Sequence, residues 1–148
     1  IGMGDIRGAD TALSIHRKNT DPGSFPWMDH YRGLIAALQG DKENALQLIS
    51  TAIDSGEGAH ALFHRALVFA ALGRSGEAER DLKRLLNPED GMAHVDPLFR
   101  SVCLWRLGDL YMRKGMIPHA REAFEEALEI DPYNNEARRL LKAMDESK

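Results

Sequence analysis

The chain has 148 residues, of which 43% are hydrophobic and 28% are charged, and its formal net charge is −4. This composition is typical of one globular domain or of a piece of a larger array. It excludes collagen, low-complexity disorder and a disulfide-stapled miniprotein. The negative charge makes nucleic acid a poor first hypothesis for a partner, because phosphate binding usually needs a basic surface.

Two further features bear on location. The longest apolar run, residues 66–72, is far too short to cross a bilayer, so we predict no interaction with a membrane. The single cysteine, Cys103, excludes an internal disulfide and fits a reducing compartment. Together these features predict a cytoplasmic protein.

Helical periodicity dominates the chain, and the alternation typical of strands is lacking. In chain order, apolar residues at helical spacing predict helices over 31–39, 45–53, 61–72, 78–86, 98–113 and 121–130. Asp41 and Ser75 are predicted N-caps, since each follows a turn that contains glycine. Asp96 before Pro97 has the pattern of an N-cap followed by proline in the first helical turn.

The glycines are spaced as a repeat. Gly4, Gly40, Gly73 and Gly115 are each followed five residues later by an alanine, and these alanines lie 36, 33 and 42 residues apart. This period is typical of stacked helix pairs, with the last three glycines in the turns. Small residues are expected where two helices of a pair cross closely: Gly33 with Ala45, Ala66 with Ala78, and Gly108 with Ala120.

On these residues the sequence resembles the tetratricopeptide repeat family. The best copy, residues 101–134, carries nearly the whole signature: Leu104, Leu107, Gly108, Tyr111, Gly115, Ala120, Phe124, Ala127 and Pro132. The resemblance implies an all-α fold, a right-handed superhelix (α-solenoid) of antiparallel helix pairs. It also implies a protein-interaction scaffold in which the first helix of each pair lines a concave groove.

The resemblance divides the chain into six segments. Residues 1–25 are expected to be the second helix of a truncated preceding repeat plus a linker, or alternatively an ordered N-terminal arm. Two tetratricopeptide-like repeats follow at 26–58 and 59–92, then an insertion at 93–100 that lengthens one loop and one helix. Residues 101–134 are the third repeat. Residues 135–148 are a capping helix, because Arg138 and Lys142 fill positions that would face a next helix.

Helix phase assigns a set of side chains to the groove as a partner-binding surface. They are Trp27, His30, Leu34, His60, Phe63, His64, Leu67, Val102, Trp105, Arg106, Asp109, Met112 and Arg113. Aromatic and arginine side chains are frequent binding hot spots, so we expect a protein partner that offers a peptide or helix of mixed apolar character. Burial of Trp27 and Trp105 beneath the N-terminal segment or the insertion is an equally weighted alternative.

Other chemistry is less well supported by the sequence. No catalytic residues and no cofactor are predicted. His60 and His64 lie one helical turn apart, a spacing that can hold zinc with His30 as a third ligand, but a partly exposed polar helix face explains the pair more simply. We therefore keep metal binding as the weaker alternative.

Two further hypotheses concern the partner. One subfamily clamps the acidic tails of chaperones, and of the corresponding positions here (His30, Leu34, His64, Val102 and Arg106) only Arg106 fits. A chaperone-tail clamp is therefore not expected. The chain is alternatively a regulatory segment of a larger enzyme or transcription regulator, or it forms a homo-oligomer through the exposed end of a truncated array.

Overall fold

The computed structural model describes residues 29–54, 58–87 and 96–147, without the side chains of residues 29–31. Over these ranges it contains α-helices and no strand, as the periodicity predicts. In chain order they are α1 (Asp29–Leu38), α2 (Lys42–Asp54), α3 (Gly58–Ala71), α4 (Ser75–Leu86), α5 (Pro97–Arg113), α6 (Ile117–Ile130) and α7 (Asn135–Glu146). None of these helices is long and apolar enough to span a membrane. The half-repeat expected at 1–25 and the first part of the insertion lie outside the described residues.

The turns after α1, α3 and α5 have the same structure. Gly40, Gly73 and Gly115 have φ angles of 87°, 76° and 76°. In each turn the glycine N–H donates to the carbonyl three residues earlier, and the next N–H donates to the carbonyl five residues earlier at 2.9 Å. This is the Schellman motif, whose positive φ favours glycine. The predicted role of these three glycines is therefore confirmed.

The helix starts agree with the sequence at two of three predicted caps. Asp41 Oδ1 accepts a hydrogen bond from the Asn44 N–H at 3.2 Å, just before α2. Asp96 Oδ1 accepts one from the Phe99 N–H at 3.0 Å, with proline in the first turn of α5. The prediction for Ser75 was wrong by one position, because Ser75 is the first residue of α4. The Schellman turn places the residue that follows the glycine at the cap position.

The chain divides into two compact units, Ile1–Arg74 and Ser75–Lys148, here called unit 1 and unit 2. In unit 1, α2 packs on α1 and α3 through side chains with little or no exposed surface: Ala45, Ile49, Ala52, Ala61 and Leu62. Gly33 of α1 lies against α2 so closely that a Cβ at this position would overlap the Ile49 side chain. The expected close crossing at Gly33 is therefore present.

In unit 2, α6 packs on α5 and α7, and α4 packs on α5. A Cβ added to Gly108 of α5 would lie 2.6 Å from Cε1 of Phe124, which is fully buried in α6. The sequence placed Ala120 opposite Gly108. Ala120 is also fully buried, but the atoms nearest to Gly108 belong to Phe124. α5 is 17 residues long, and its first four residues, 97–100, fall within the predicted insertion.

A buried polar network joins three helices of unit 2. Ser101 Oγ donates to the Ala127 carbonyl at 2.8 Å, and Asn134 Nδ2 donates to Ser101 Oγ at 2.8 Å. Asn134 Oδ1 accepts from the Ala137 N–H at 3.1 Å and so caps α7. Buried polar groups are costly unless they are hydrogen-bonded. Here the bond of Ser101 ties α5 to α6, and the bond from Asn134 ties the start of α7 to α5.

A charged cluster links α4 to the end of α5. The Glu79 carboxylate contacts Lys114 Nζ at 2.6 Å and Lys83 Nζ at 2.8 Å, and only 18% of the Glu79 side chain is exposed. Partial burial alone would raise the pKa of Glu79, but hydrogen bonds from Lys114 and Lys83 and their charges outweigh it. They lower the pKa of Glu79 from 4.5 to about 2.

This cluster predicts a pH-dependent contribution to stability. A folded-state pKa below the unfolded value stabilises the fold at pH above about 4.5, and that stabilisation is lost as the pH falls towards 2. Because Lys83 is mostly exposed, solvent screening reduces the contribution to about 1 kcal/mol. We expect Glu79→Gln to lower the free energy of unfolding by about this amount at pH 7 and by nothing near pH 2.

Urea titrations across this pH range measure the difference between the two proteins. Glu122→Gln, at an exposed glutamate of α6, is the matched control and should not change the free energy of unfolding at any pH. A difference between wild type and Glu79→Gln that stays constant from pH 7 to pH 2 would contradict the assignment.

Cys103 belongs to the core of unit 2. Burial is the main reason that the pKa of its thiol rises to about 12. At pH 8 only about one thiol in ten thousand is then a thiolate, so alkylation of the folded chain should be very slow. We expect iodoacetamide to react at the rate of a free thiol multiplied by the small fraction of molecules in which unit 2 is open, and at the full rate of a free thiol in urea. Rapid alkylation without denaturant would show that Cys103 is accessible.

Candidate partner-binding surface

The residues predicted for the groove have different surroundings in the structure. Trp27 and the side chain of His30 lie outside the described residues. Leu34 is only 6% exposed, so it belongs to the apolar core of unit 1 and has little surface to offer a partner. Helix phase did not distinguish the groove side of Leu34 from its core side, because an apolar residue at the edge of the packed face is compatible with both.

The second helix pair contributes a strip on α3, here called the α3 strip, with His60, Phe63, His64 and Leu67. His60 is exposed and the other three are half-buried. The rings of Phe63 and His64 are tilted by 54°, with their centroids 6.0 Å apart. These side chains form a partly apolar surface within unit 1. Among the residues described, no group of three or more potential metal ligands comes together, and the side chain of His30, the third ligand of the zinc hypothesis, lies outside them.

The third repeat contributes the α5 strip, which consists of Val102, Trp105, Arg106, Asp109, Met112 and Arg113. All but Arg113, which is exposed, are half-buried. The guanidinium carbon of Arg106 lies 4.2 Å from the centroid of the Trp105 ring, a cation–π geometry. Trp105 is therefore neither fully buried nor isolated, and it forms one surface with Arg106.

An ion pair continues this strip one turn further along α5. Arg113 Nη2 lies 3.0 Å from Asp109 Oδ2, and the Asp109 side chain is mostly buried while that of Arg113 is mostly exposed. Sequence reasoning named both residues but not their pairing, although the i, i+4 spacing on a helix indicates it. The strip therefore combines an indole, aliphatic groups and charges of both signs.

The family model for the tetratricopeptide repeat matches residues 101–134. The chain contains a tetratricopeptide repeat. The match covers α5, α6 and the loop before α7, so the α5 strip lies on the first helix of this repeat. The repeats expected at 26–58 and 59–92 remain predictions from the sequence pattern.

Solved structures with tetratricopeptide repeats have the same fold. A crystal structure of MamA matches with a TM-score of 0.67 at 17% identity, covering 96% of this chain and 75% of MamA. The second tetratricopeptide repeat domain of human RPAP3, solved in complex with an HSP70 peptide, matches with a TM-score of 0.64 at 23% identity. The match covers 81% of this chain and 98% of that domain. At this identity the similarity establishes an all-α helical repeat fold.

Two Arabidopsis thaliana proteins are similar in sequence. The protein KINESIN LIGHT CHAIN-RELATED 3 is 35% identical over 136 residues, which cover 85% of this chain. The protein CTR9 homolog is 31% identical over 115 residues, or 77% of this chain. The chain spans 21% of the length of the first relative and 10% of the second.

Proposed function

We propose that the chain is a non-catalytic interaction module that binds a peptide or helix of a partner protein on the α5 strip. The observation that supports this most strongly is the half-buried pair of Trp105 and Arg106, stacked at 4.2 Å. A stacked pair offers a large apolar area with a charged edge, and its mutual contact limits the rotamer entropy that binding removes.

The comparisons support a protein or peptide as the partner. The RPAP3 domain, which has this fold, was solved with a peptide bound. We do not propose an HSP70 peptide as the ligand of this chain. His64 and Val102 occupy positions at which a clamp for acidic tails needs cationic or amide side chains. A ligand with an apolar anchor and a carboxylate next to it fits Trp105 and Arg106 better.

The second candidate function is a regulatory role inside a larger protein. It is favoured by the observation that this chain spans only 21% and 10% of the lengths of its two relatives. In that arrangement the α5 strip binds another segment of the same polypeptide. Both candidate functions use the same surface. They differ in whether the bound segment belongs to another protein or to the same polypeptide.

A peptide selection tests this proposal. A random peptide library displayed on phage is panned against the wild-type chain, and the affinity of the enriched peptides is then measured by calorimetry. Trp105→Ala should weaken binding by about thirty-fold or more, the usual effect of losing a hot spot, and Arg106→Ala should weaken it less. Circular dichroism of both variants should match that of the wild type.

Ile117→Ala is the matched control, since this aliphatic side chain is 44% exposed and lies outside the α5 strip. Its affinity for the selected peptides should equal that of the wild type. The proposal would be contradicted if Trp105→Ala and Arg106→Ala bound the selected peptides as tightly as the wild type. A selection that enriches no peptide would contradict it as well.

A further inference from the structure

We infer that a second surface, at one end of unit 2, binds a lysine- or arginine-rich segment of another protein through an apolar anchor. The surface consists of Leu98, Ile130 and Tyr133 and is here called the end patch. Among the large hydrophobic residues in the described ranges, Leu98 and Tyr133 are the two most exposed, at 63% and 84%. The end patch shares no residue with the α5 strip, and the inference does not depend on the function proposed for that strip.

The polar network holds the three residues of the end patch at the same end of unit 2. Ser101 Oγ, Ala127 O and the side chain of Asn134 are joined by bonds of 2.8 Å. Leu98 lies three residues before Ser101 on α5, Ile130 lies three residues after Ala127 on α6, and Tyr133 precedes Asn134. Each residue of the patch thus stands within three positions of a member of the network, which brings all three to the same end of unit 2.

The loop that carries Tyr133 is pre-organised. The Tyr133 N–H donates to Asp131 Oδ1 at 3.0 Å, and the Asn134 N–H donates to the Asp131 carbonyl at 3.1 Å. Asn134 itself is only 8% exposed and is bonded to α5. Because the backbone on both sides of Tyr133 is fixed, burying its ring against a partner costs little additional conformational entropy.

The charges at this end of unit 2 indicate the chemistry of the partner. Four carboxylates, from Asp96, Glu126, Glu129 and Asp131, lie at the first turn of α5 or the last turns of α6 and their caps. Arg100 and Arg138 are the guanidiniums that are bonded at this end, to the carbonyls of Leu86 and Pro132, and Arg100 Nη2 also lies 3.9 Å from Oε1 of Glu126. The four carboxylates outnumber the two guanidiniums, so this end of unit 2 has a net negative charge. A basic segment of a partner is complementary to that charge.

The same charges disfavour a second copy of this chain as the occupant. In a symmetric dimer the end patch would face itself, and carboxylates would meet carboxylates. The formal charge of −4 on the whole chain adds to this repulsion. A basic segment with one leucine or aromatic side chain between its cations satisfies both the apolar and the charged parts of the surface.

Three synthetic peptides of equal length test this inference with the full chain. One has a leucine flanked by lysines, the second has a leucine flanked by glutamates, and the third has a serine flanked by lysines. Titration into isotope-labelled protein, followed by NMR, should shift the amide signals around Leu98, Ile130 and Tyr133 with the first peptide only. Raising the salt concentration should weaken this binding.

Variants separate the end patch from the α5 strip. Leu98→Ala combined with Tyr133→Ala should weaken binding of the lysine–leucine peptide about ten-fold, whereas Trp105→Ala should leave it unchanged. The inference is overturned if that peptide fails to bind, if the glutamate peptide binds equally well, or if the shifts fall on the α5 strip. Concentration-dependent sedimentation that disappears in the double variant would also overturn it, because it would identify a second copy as the occupant.

Discussion

Phe124→Ala should lower the free energy of unfolding by about 3–5 kcal/mol, the largest effect expected of any single change considered for this chain. Phe124 is fully buried in α6, and its ring lies against Gly108 of α5. Truncation removes the apolar contacts of the ring and leaves a cavity between two helices. The surrounding side chains cannot fill it, because the adjoining position has no side chain to move in.

Urea unfolding followed by circular dichroism measures this loss. Tyr133→Ala is the matched control, because it truncates an aromatic side chain that is 84% exposed, and it should change the free energy of unfolding by less than about 0.5 kcal/mol. If the two variants lose similar amounts of stability, then the ring of Phe124 does not sit in the core of unit 2.

Gly108→Ala is expected to destabilise the fold by about 1–3 kcal/mol, although alanine favours helix more than glycine does. The added Cβ would lie 2.6 Å from Cε1 and 2.8 Å from Cδ1 of Phe124. At these distances either the buried ring or the helix must move. Overpacking of this kind outweighs the gain in helix propensity, which is at most about 1 kcal/mol.

Two further variants make the test of Gly108 specific. Gly76→Ala in α4 adds the same methyl group where no atom lies within 4 Å, so it should leave stability unchanged or raise it slightly. Combining Gly108→Ala with Phe124→Leu should cost less than the sum of the single changes, because the smaller side chain makes room for the methyl group. Strict additivity of the two changes would contradict a direct contact between Gly108 and Phe124.

The parts of this fold that depend on local chemistry could be predicted from the sequence. Gly40, Gly73 and Gly115 were recognised as turns because positive φ favours glycine, and their angles confirm it. Asp96 was recognised as a cap because its side chain needs only the N–H of Phe99, three residues away. Such features require no knowledge of what packs on the helix, so a single sequence is sufficient.

Features that depend on tertiary contacts were predicted only in outline. The need for a small residue at 108 was correct, but the atoms nearest to a Cβ at this position belong to Phe124, which the sequence did not pair with Gly108, because the helix crossing angle decides which side chains of α6 face α5. Leu34 was assigned to the groove and is buried in unit 1. The network of Ser101 and Asn134 was not anticipated, since it joins residues 33 positions apart.

For the candidate site, the sequence proposed the residues but did not predict the contact between two of them. Trp105 and Arg106 were both assigned to the groove, but adjacency in sequence does not predict that a guanidinium stacks on the neighbouring indole at 4.2 Å. Rotamers of long side chains are set by their neighbours in three dimensions. The end patch was not predicted either, because Leu98 and Tyr133 lie far apart in the sequence and only the folded network brings them to the same end of unit 2.

The start of α5 has a consequence for how this chain tolerates change in evolution. Asp96 and Pro97 define the first turn through atoms of the helix itself, so the beginning of α5 does not depend on the chain that precedes it. Insertions and deletions before Asp96 can therefore accumulate without shifting the contact between Gly108 and Phe124. We expect natural variants to differ in length there far more often than in the short turns at Gly40, Gly73 and Gly115.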